Sequence, residues 1–568
     1  MNQQAVLVAR EPSPLQTGPG PAALFALAAL IALITLGRVA AAEFVDWDDN
    51  FFLAGNPRLD TPTWHSVLGY ALVRNADGSI YMPVTQGVWG VLGAIGRTEQ
   101  PDAHGSFINP WVFHAANLCV HIASVGVVFA ILRCFVAQAP AWVGAVLFAI
   151  HPVQVETVAW ASEMKDLLAG FFGFVALLQL IKFRQGGGRA SWIFATIAAA
   201  LAMFSKPSAV ALPVEALVLD VLLLRTRWRQ SLVVLWPWFV LAIPITLIAR
   251  HLQPPLWQMD NPALLRPLVA WDTIAFYIAK IIAPVRLIFD YGRTPKEALA
   301  NGWRLIWILP LLLCALLACK GRRIPLFTGG CLLAFAAILP MLGLIPFAAQ
   351  DYSTVSDHYL YPAMLGVALV VASLFQAAQR RLSGTIIVTF SLAVIAALAV
   401  QSFSLAAVWN NSISLFSREL SINPRSSTAH TGLAAALAKS GDFPAAQEHF
   451  EIAEQLNPHN GMAIMGLANV LMHEGDLDEA ASQFERLLQV YQMQPNFDPK
   501  LAASAELVVA TRLIKRGDGA DAIAALEQAE AWDPANPHLE ELLARARLQV
   551  STRPAPVAPP SSPAHAAF

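Results

Sequence analysis

Three carboxylates, Asp46, Asp48 and Asp49, stand among aromatic residues in FVDWDDNFF (44–52), directly after an apolar run of membrane-spanning length. A solvated loop needs no Trp or Phe around its acids, and a buried core does not take three acids without partners. A carboxylate just outside the hydrocarbon is suited to accept a hydroxyl proton while a lipid-linked donor lies in the bilayer beside it. Asp48 and Asp49 fit that use. A cap or salt-bridge partner at a span end is the competing reading. A second cluster, HPVQVETVAWASEMKDLLAGFF (151–172), holds His151, Glu156, Glu163, Lys165 and Asp166. Each such group costs about 2.5–3.5 kcal/mol at the centre of a membrane helix. So dense a group implies mutual pairing, either in a functional site or in a network that pins a turn.

In FHAANLCVH (113–121), His114, Asn117 and His121 share one helix face. They suit a sugar or phosphate contact, or hydrogen bonds between helices. The two histidines are about 10 Å apart along the axis, too far to share one metal. The outward cations Lys206, Arg250, Lys280, Arg286, Arg293 and His358 are candidates to hold an anionic phosphate. Plain surface charge or snorkelling is the alternative for each. Lys206 stands apart because it interrupts an otherwise apolar hairpin.

The elements that must position these groups follow from composition. The 568 residues are 56% hydrophobic and only 13% charged, against about 25% charged in an ordinary soluble domain. The chain reads as an all-α, polytopic membrane helix bundle. A formal net charge of −2 gives no global field for a nucleic-acid partner. The five cysteines fall in apolar runs and read as buried small hydrophobes, with neither a disulfide framework nor a metal site.

Spans of roughly 20 apolar residues are expected at 21–42, 111–133, 141–160, 166–183, 190–204, 207–224, 231–249, 304–319, 325–347, 358–376 and 384–408, about 11 in all. The stretch 271–289 carries Asp272, Lys280, Pro284 and Arg286 and is either interfacial or re-entrant. The first run is longer than a signal-peptide core of about 7–15 residues and is read as an uncleaved span. Lys and Arg concentrate in alternate short loops, which puts 1–20 in the cytoplasm and the C-terminal part outside. The first outer loop is then 43–110.

Beyond Trp409 the chain turns polar and Ala-rich. Gly441-Asp442, Gly475-Asp476 and Gly517-Asp518 recur at spacings of 34 and 42 residues. Ala446, Ala480 and Ala522 occupy one equivalent position; Phe450, Phe484 and Leu526 occupy another. This is the period of tetratricopeptide helix pairs, expected at 427–460, 461–494 and 503–536 within a domain spanning 409–548. Eight extra residues around 491–500 form an inserted loop. LFSRELSINP (415–424) looks like the second helix of an incomplete repeat. The Pro/Ala-rich tail 549–568 is expected to be disordered.

HPVQVETVAWASEMKDLLAGFF, DWDDNFFLAGNP, YMPVTQ, FHAANLCVH and YLYPAMLGVAL, followed by these repeats, together resemble the TMTC family of transmembrane and tetratricopeptide-repeat O-mannosyltransferases. The resemblance runs from about residue 21 to 545. It implies a GT-C-like transmembrane domain at 21–408. It also implies inverting transfer of a sugar, such as mannose, from a polyprenyl-phosphate donor to a hydroxyl of a protein acceptor on the periplasmic or lumenal face. On that resemblance Asp48 is the base and Asp49 helps place the acceptor. Glu156 and Asp166 match the second acidic motif. His151, Lys165, Lys206, Arg293, His114 and His121 join the substrate-binding set, and His358 stands where the family has Arg. Imidazole is a poorer phosphate clamp than guanidinium. No cofactor is required, with a divalent cation beside Asp48 and Asp49 left open. High Ala, Pro and Arg usage favours a bacterial inner membrane. A non-catalytic membrane scaffold that displays repeats is the competing class. Protease added to the outside of sealed vesicles is expected to release the repeats; cleavage from the cytoplasmic side alone would part acceptor and site.

Overall fold

The computed structural model describes residues 19–60, 69, 80–101, 106–252, 262–300, 306–492, 499–534 and 536–552. The expected N-terminal segment to residue 18, much of the first outer loop, the inserted loop at 493–498 and the tail from 553 lie outside the described residues. The chain divides into two compact units, Met1–Leu415 and Phe416–Phe568. Regular structure among the described residues is helical, apart from one isolated bridge between Arg97 and Ile108.

The first unit opens with α1 (Pro21–Leu36), α2 (Pro83–Ile95), α3 (Pro110–Arg133), α4 (Gln138–Ile150), α5 (Val155–Ala159), α6 (Met164–Arg184) and α7 (Gly188–Ser205). Among the described residues, six helical stretches are long and apolar enough to cross a membrane: Pro21–Ala41, Pro110–Arg133, Ala161–Arg184, Gly188–Ser205, Trp228–Leu252 and Gly384–Asn410. The pair Gln138–Ile150 and Pro152–Ala159, bent by 50°, makes a seventh if it is one span. The other expected spans are shorter or broken helices. Residues 207–224 split into a 3-10 turn, a seven-residue helix and a π-turn, with Pro207 and Pro213 at the starts. Ile308–Lys320, Pro325–Ile338 and Met364–Ala378 run 13 to 15 residues. The ambiguous stretch is helical to Ile282 and ends before Pro284.

Many large apolar side chains on these helices face outward, among them Ile34, Val233, Leu247 and Phe390. That surface needs a bilayer over it, and the chain is a multi-pass membrane protein. The five cysteines are free, but none is buried in the protein: Cys119, Cys314 and Cys319 are exposed and Cys134 and Cys331 half-buried. Apolar residues on such helices are covered by lipid rather than by protein. At the Arg-rich end, Arg184 grips Asp220 with two donors, and Thr226 adds a third at 3.0 Å.

The second unit is a series of antiparallel pairs: Ser427–Ser440 with Phe443–Leu456, Gly461–Glu474 with Leu477–Gln492, and Pro499–Arg516 with Gly519–Trp532. It closes on Leu539–Thr552. Gly441, Gly475 and Gly517 end the first helix of each pair at φ of 88°, 89° and 84°, the left-handed cap that glycine adopts without strain. Ala446, Ala480 and Ala522 are fully buried. Phe450 packs over Gly466 so tightly that a Cβ there would lie 2.2 Å from the ring; Phe416 meets Gly432 in the same way. Phe416 therefore plays the part of Phe450 for the pair before the first full repeat. Gly466→Ala forces the Phe450 ring to move and is expected to destabilise the repeats by about 1–3 kcal/mol. A lowered melting transition in helical circular dichroism of the purified chain would show it; an unchanged transition would not fit this packing.

Candidate functional site

Backbone breaks deliver the charged groups. In HPVQVET the residue before Pro152 is extended, with His151 at φ −64° and ψ 132°, because the proline ring excludes the helical conformation there. Helix α4 stops, the chain bends, and α5 carries Glu156 inward. A second break at Trp160 (φ −80°, ψ 118°) precedes a tight turn over Ala161–Glu163, so α6 begins at Met164 with Lys165 and Asp166 in its first turn. A third occurs at Lys206, extended before Pro207 where α7 ends. Thr85 of α2 donates to the Ser205 carbonyl at 2.8 Å and holds that end in place.

These breaks bring six predicted residues into one network. Lys165 Nζ lies 3.1 Å from Asp48 Oδ2 and 2.7 Å from Glu163 Oε1. Lys206 Nζ pairs with Asp166 and sits 3.8 Å from Glu163 Oε2. His358 Nδ1 lies 2.5 Å from Glu156 Oε1, which also accepts from Ser356 Oγ at 2.8 Å and from the His358 amide at 3.3 Å. Burial drives the His358 pKa down to about 3. The ring is then neutral, and its Nδ1 is shared between Glu156 Oε1 and, at 3.0 Å, Ser356 Oγ. Asp48 is the exposed member, its side chain 35% accessible, while the side chains of Lys165, Glu163 and Asp166 are at most 6% accessible.

The aromatic residues around the acids attend to the lysines. Lys165 Nζ stands 5.4 Å from the Phe52 ring centre and 5.6 Å from that of Trp160; Lys206 Nζ stands 5.5 Å from that of Tyr359. Ring faces stabilise a desolvated ammonium. Trp47 packs against Phe289 and Tyr352, and Trp160 against Phe289, His358 and Trp409. The first loop is anchored by a core of Phe52, Leu53, Met82, Trp89 and Phe113 against Met164 and Leu168.

Asp49 lies beneath this surface. It is fully buried; Oδ1 accepts from the Ser162 amide at 2.8 Å and Oδ2 from the Val45 amide at 3.1 Å. It ties the first loop to the turn before α6. Burial raises its pKa to about 7 in spite of those two hydrogen bonds. His114 contacts the Glu43 carbonyl at 3.3 Å, and His121 contacts Tyr361 Oη at 3.1 Å and the Ala149 carbonyl at 2.9 Å. Between them, Asn117 donates to the Trp160 carbonyl at 2.8 Å and holds the second break. This face of α3 laces helices together and is not joined to the lysine network. His151 Nε2 meets the Ile281 carbonyl at 3.1 Å. Arg293 pairs with Asp272, whose other oxygen accepts from Trp307 Nε1 at 2.7 Å. Glu163 and Ser356 belong to the site although neither is a predicted site residue. Glu163 stands one turn before Asp166; Ser356 carries no sequence signal. Among the described residues, Glu163, Asp166 and His358 offer a metal-ligand grouping, and it includes neither Asp48 nor Asp49.

The fold and this site define a class: an all-α, multi-pass membrane protein with a buried carboxylate–lysine network and a tetratricopeptide-repeat solenoid. The model of the dolichyl-phosphate-mannose-protein mannosyltransferase family matches residues 108–253, and that of the tetratricopeptide repeat matches 431–496. The chain is 25% identical over 219 residues to the Drosophila melanogaster protein O-mannosyl-transferase Tmtc2, covering 35% of this chain and 23% of that one. It is 22% identical over 310 residues to the Caenorhabditis elegans protein O-mannosyl-transferase F38B6.6, covering 53% and 44%. It thus spans less than half the length of either relative. More particularly, the chain is similar over part of its length to protein O-mannosyl-transferases of the TMTC type. An Archaeoglobus fulgidus oligosaccharyltransferase in the apo form shows 14% identity and a TM-score of 0.36 over 69% of this chain and 56% of that one, too low a score to bear on mechanism.

The raised pKa of Asp49 has a consequence for stability. Between the ordinary 3.8 and about 7 the folded chain holds a proton that the unfolded chain has lost, so stability falls as pH rises through that window and levels off above it. In Asp49→Asn that decline is expected to disappear. Melting temperatures of the two proteins from pH 4 to 7 should diverge, the parent losing ground; a difference independent of pH would contradict it.

Proposed function

We propose that the chain transfers a sugar such as mannose from a polyprenyl-phosphate carrier to a Ser or Thr hydroxyl of a polypeptide, with inversion, on the outer face of a bacterial inner membrane. The observation that carries this reading is the Asp48–Lys165 pair: an accessible carboxylate beside a buried ammonium, at the edge of a membrane unit. A sugar phosphate brings the negative charge that Lys165 and Lys206 are placed to receive. As the donor phosphate draws Lys165, the Asp48 carboxylate is released from its ion pair and is free to accept a proton. The hydroxyl proton passes to Asp48 and the hydroxyl oxygen bonds to the anomeric carbon. The bond from that carbon to the phosphate oxygen breaks, its electron pair leaving with the phosphate. The lysines stabilise the departing charge in a partly desolvated setting.

In this reading Asp49 positions the loop that presents Asp48, and Glu156 orients His358. The repeats supply a helical groove of the kind that holds extended polypeptide. Asp48→Asn in the purified, lipid-reconstituted chain is expected to reduce transfer from a polyprenyl-phosphate sugar by about 10²–10⁴-fold with little change in thermal stability, because Asp48 is partly exposed. Full transfer by that variant would remove Asp48 as base and favour a membrane scaffold.

A further inference from the structure

The network holds more carboxyl groups than ammonium groups. Four carboxylates, Asp48, Glu156, Glu163 and Asp166, face two ammonium groups, Lys165 and Lys206. All but Asp48 are buried. Buried carboxylates in such a place need a counter-charge or a proton. Two further observations mark where a positive charge fits. Glu163 Oε2 is buried and has no hydrogen-bond partner. One donor atom each from Glu163, Asp166 and His358 lies within 4.8 Å of the others, all three residues being buried.

We propose that Glu163, Asp166 and His358 form a divalent-cation site. Glu156 Oε1 lies 2.5 Å from His358 Nδ1 and holds the ring in place; in the tautomer with the proton on Nδ1, Nε2 is left as the ligand atom. A carboxylate behind a histidine is the usual outer support of a metal ligand; it fixes the tautomer and raises the basicity of the free nitrogen. Ser356 Oγ, donating to the same Glu156 oxygen at 2.8 Å, fixes the carboxylate in turn. Two oxygens and one imidazole nitrogen suit Mn²⁺ better than the softer, nitrogen- and sulfur-seeking metals. Lys206 is the built-in competitor. Its ammonium pairs with Asp166 and approaches Glu163 Oε2, so cation and lysine contend for the same oxygens. An ion there would release Lys206 from Asp166, freeing its ammonium for a phosphate. That last clause rests on the transferase reading; the site itself does not.

The test uses the full chain in detergent, stripped with chelator and titrated with Mn²⁺ alone, bound ion being read as loss of the free-Mn²⁺ electron paramagnetic resonance signal. No donor or acceptor is present, so failure of the transferase reading leaves this result unaffected. One ion per chain is expected. His358→Asn and Glu163→Gln should abolish binding, and Glu156→Gln, which touches no ion, should weaken it by about 10–100-fold. Lys206→Met should tighten it by about tenfold, a gain that misfolding does not imitate. Should the loss variants fail to fold, Lys206→Met decides alone. Absence of stoichiometric binding, retention in His358→Asn, or unchanged or weaker binding in Lys206→Met would overturn the proposal and leave protons to balance the carboxylates.

Discussion

Ionised groups at the edge of a low-dielectric layer have to find one another, because each left alone costs more than most other interactions can return. Lys165 and Lys206 answer this by threading between Asp48, Glu163 and Asp166. Those five residues come from the first loop, the start of α6 and the residue after α7. Their pairing fixes where three separate pieces of chain meet. Breaks at His151, Trp160 and Lys206 are the backbone cost of bringing them there.

Around the ion pairs stands a shell whose purpose is placement. Asp49 uses both oxygens on backbone amides, Asn117 holds the Trp160 carbonyl, and Thr85 holds that of Ser205. Each bond stabilises a strand of irregular backbone that would otherwise carry unsatisfied polar groups among apolar side chains. The adjacent acids Asp48 and Asp49 are thereby divided in role by environment: one exposed and facing a lysine, the other buried and clamping the loop.

The two units obey different packing rules. The first turns large apolar side chains outward, as lipid requires, and holds its charged network inside an otherwise apolar interior. The second sits its apolar residues against alanines and glycines, with Phe416 over Gly432 and Phe450 over Gly466. Bulk on one helix needs a matching absence of bulk on its neighbour, and the repeat spacing keeps the two in register.

Much of this was legible in the residue order. Apolar runs announced helices in a membrane, Gly-Asp recurrences announced the repeats, and the prolines after His151 and Lys206 marked two of the breaks. These are local properties: hydropathy, backbone restriction and period act within a few residues. Pairing is not local. Nothing in FVDWDDNFF says that Asp48 meets a lysine 117 residues away while Asp49 turns inward. Nothing in FHAANLCVH says that its polar face serves neighbouring helices, nor in STVSD that Ser356 supports Glu156. Several segments expected to span proved shorter or broken, because prolines and π- or 3-10 turns interrupt helices whose hydropathy alone reads as continuous. The sequence by itself determined the kinds of element and the chemistry available. Only tertiary structure decided which charges share a site, since electrostatic partners are chosen by distance in space and by burial, and both arise after the helices have packed.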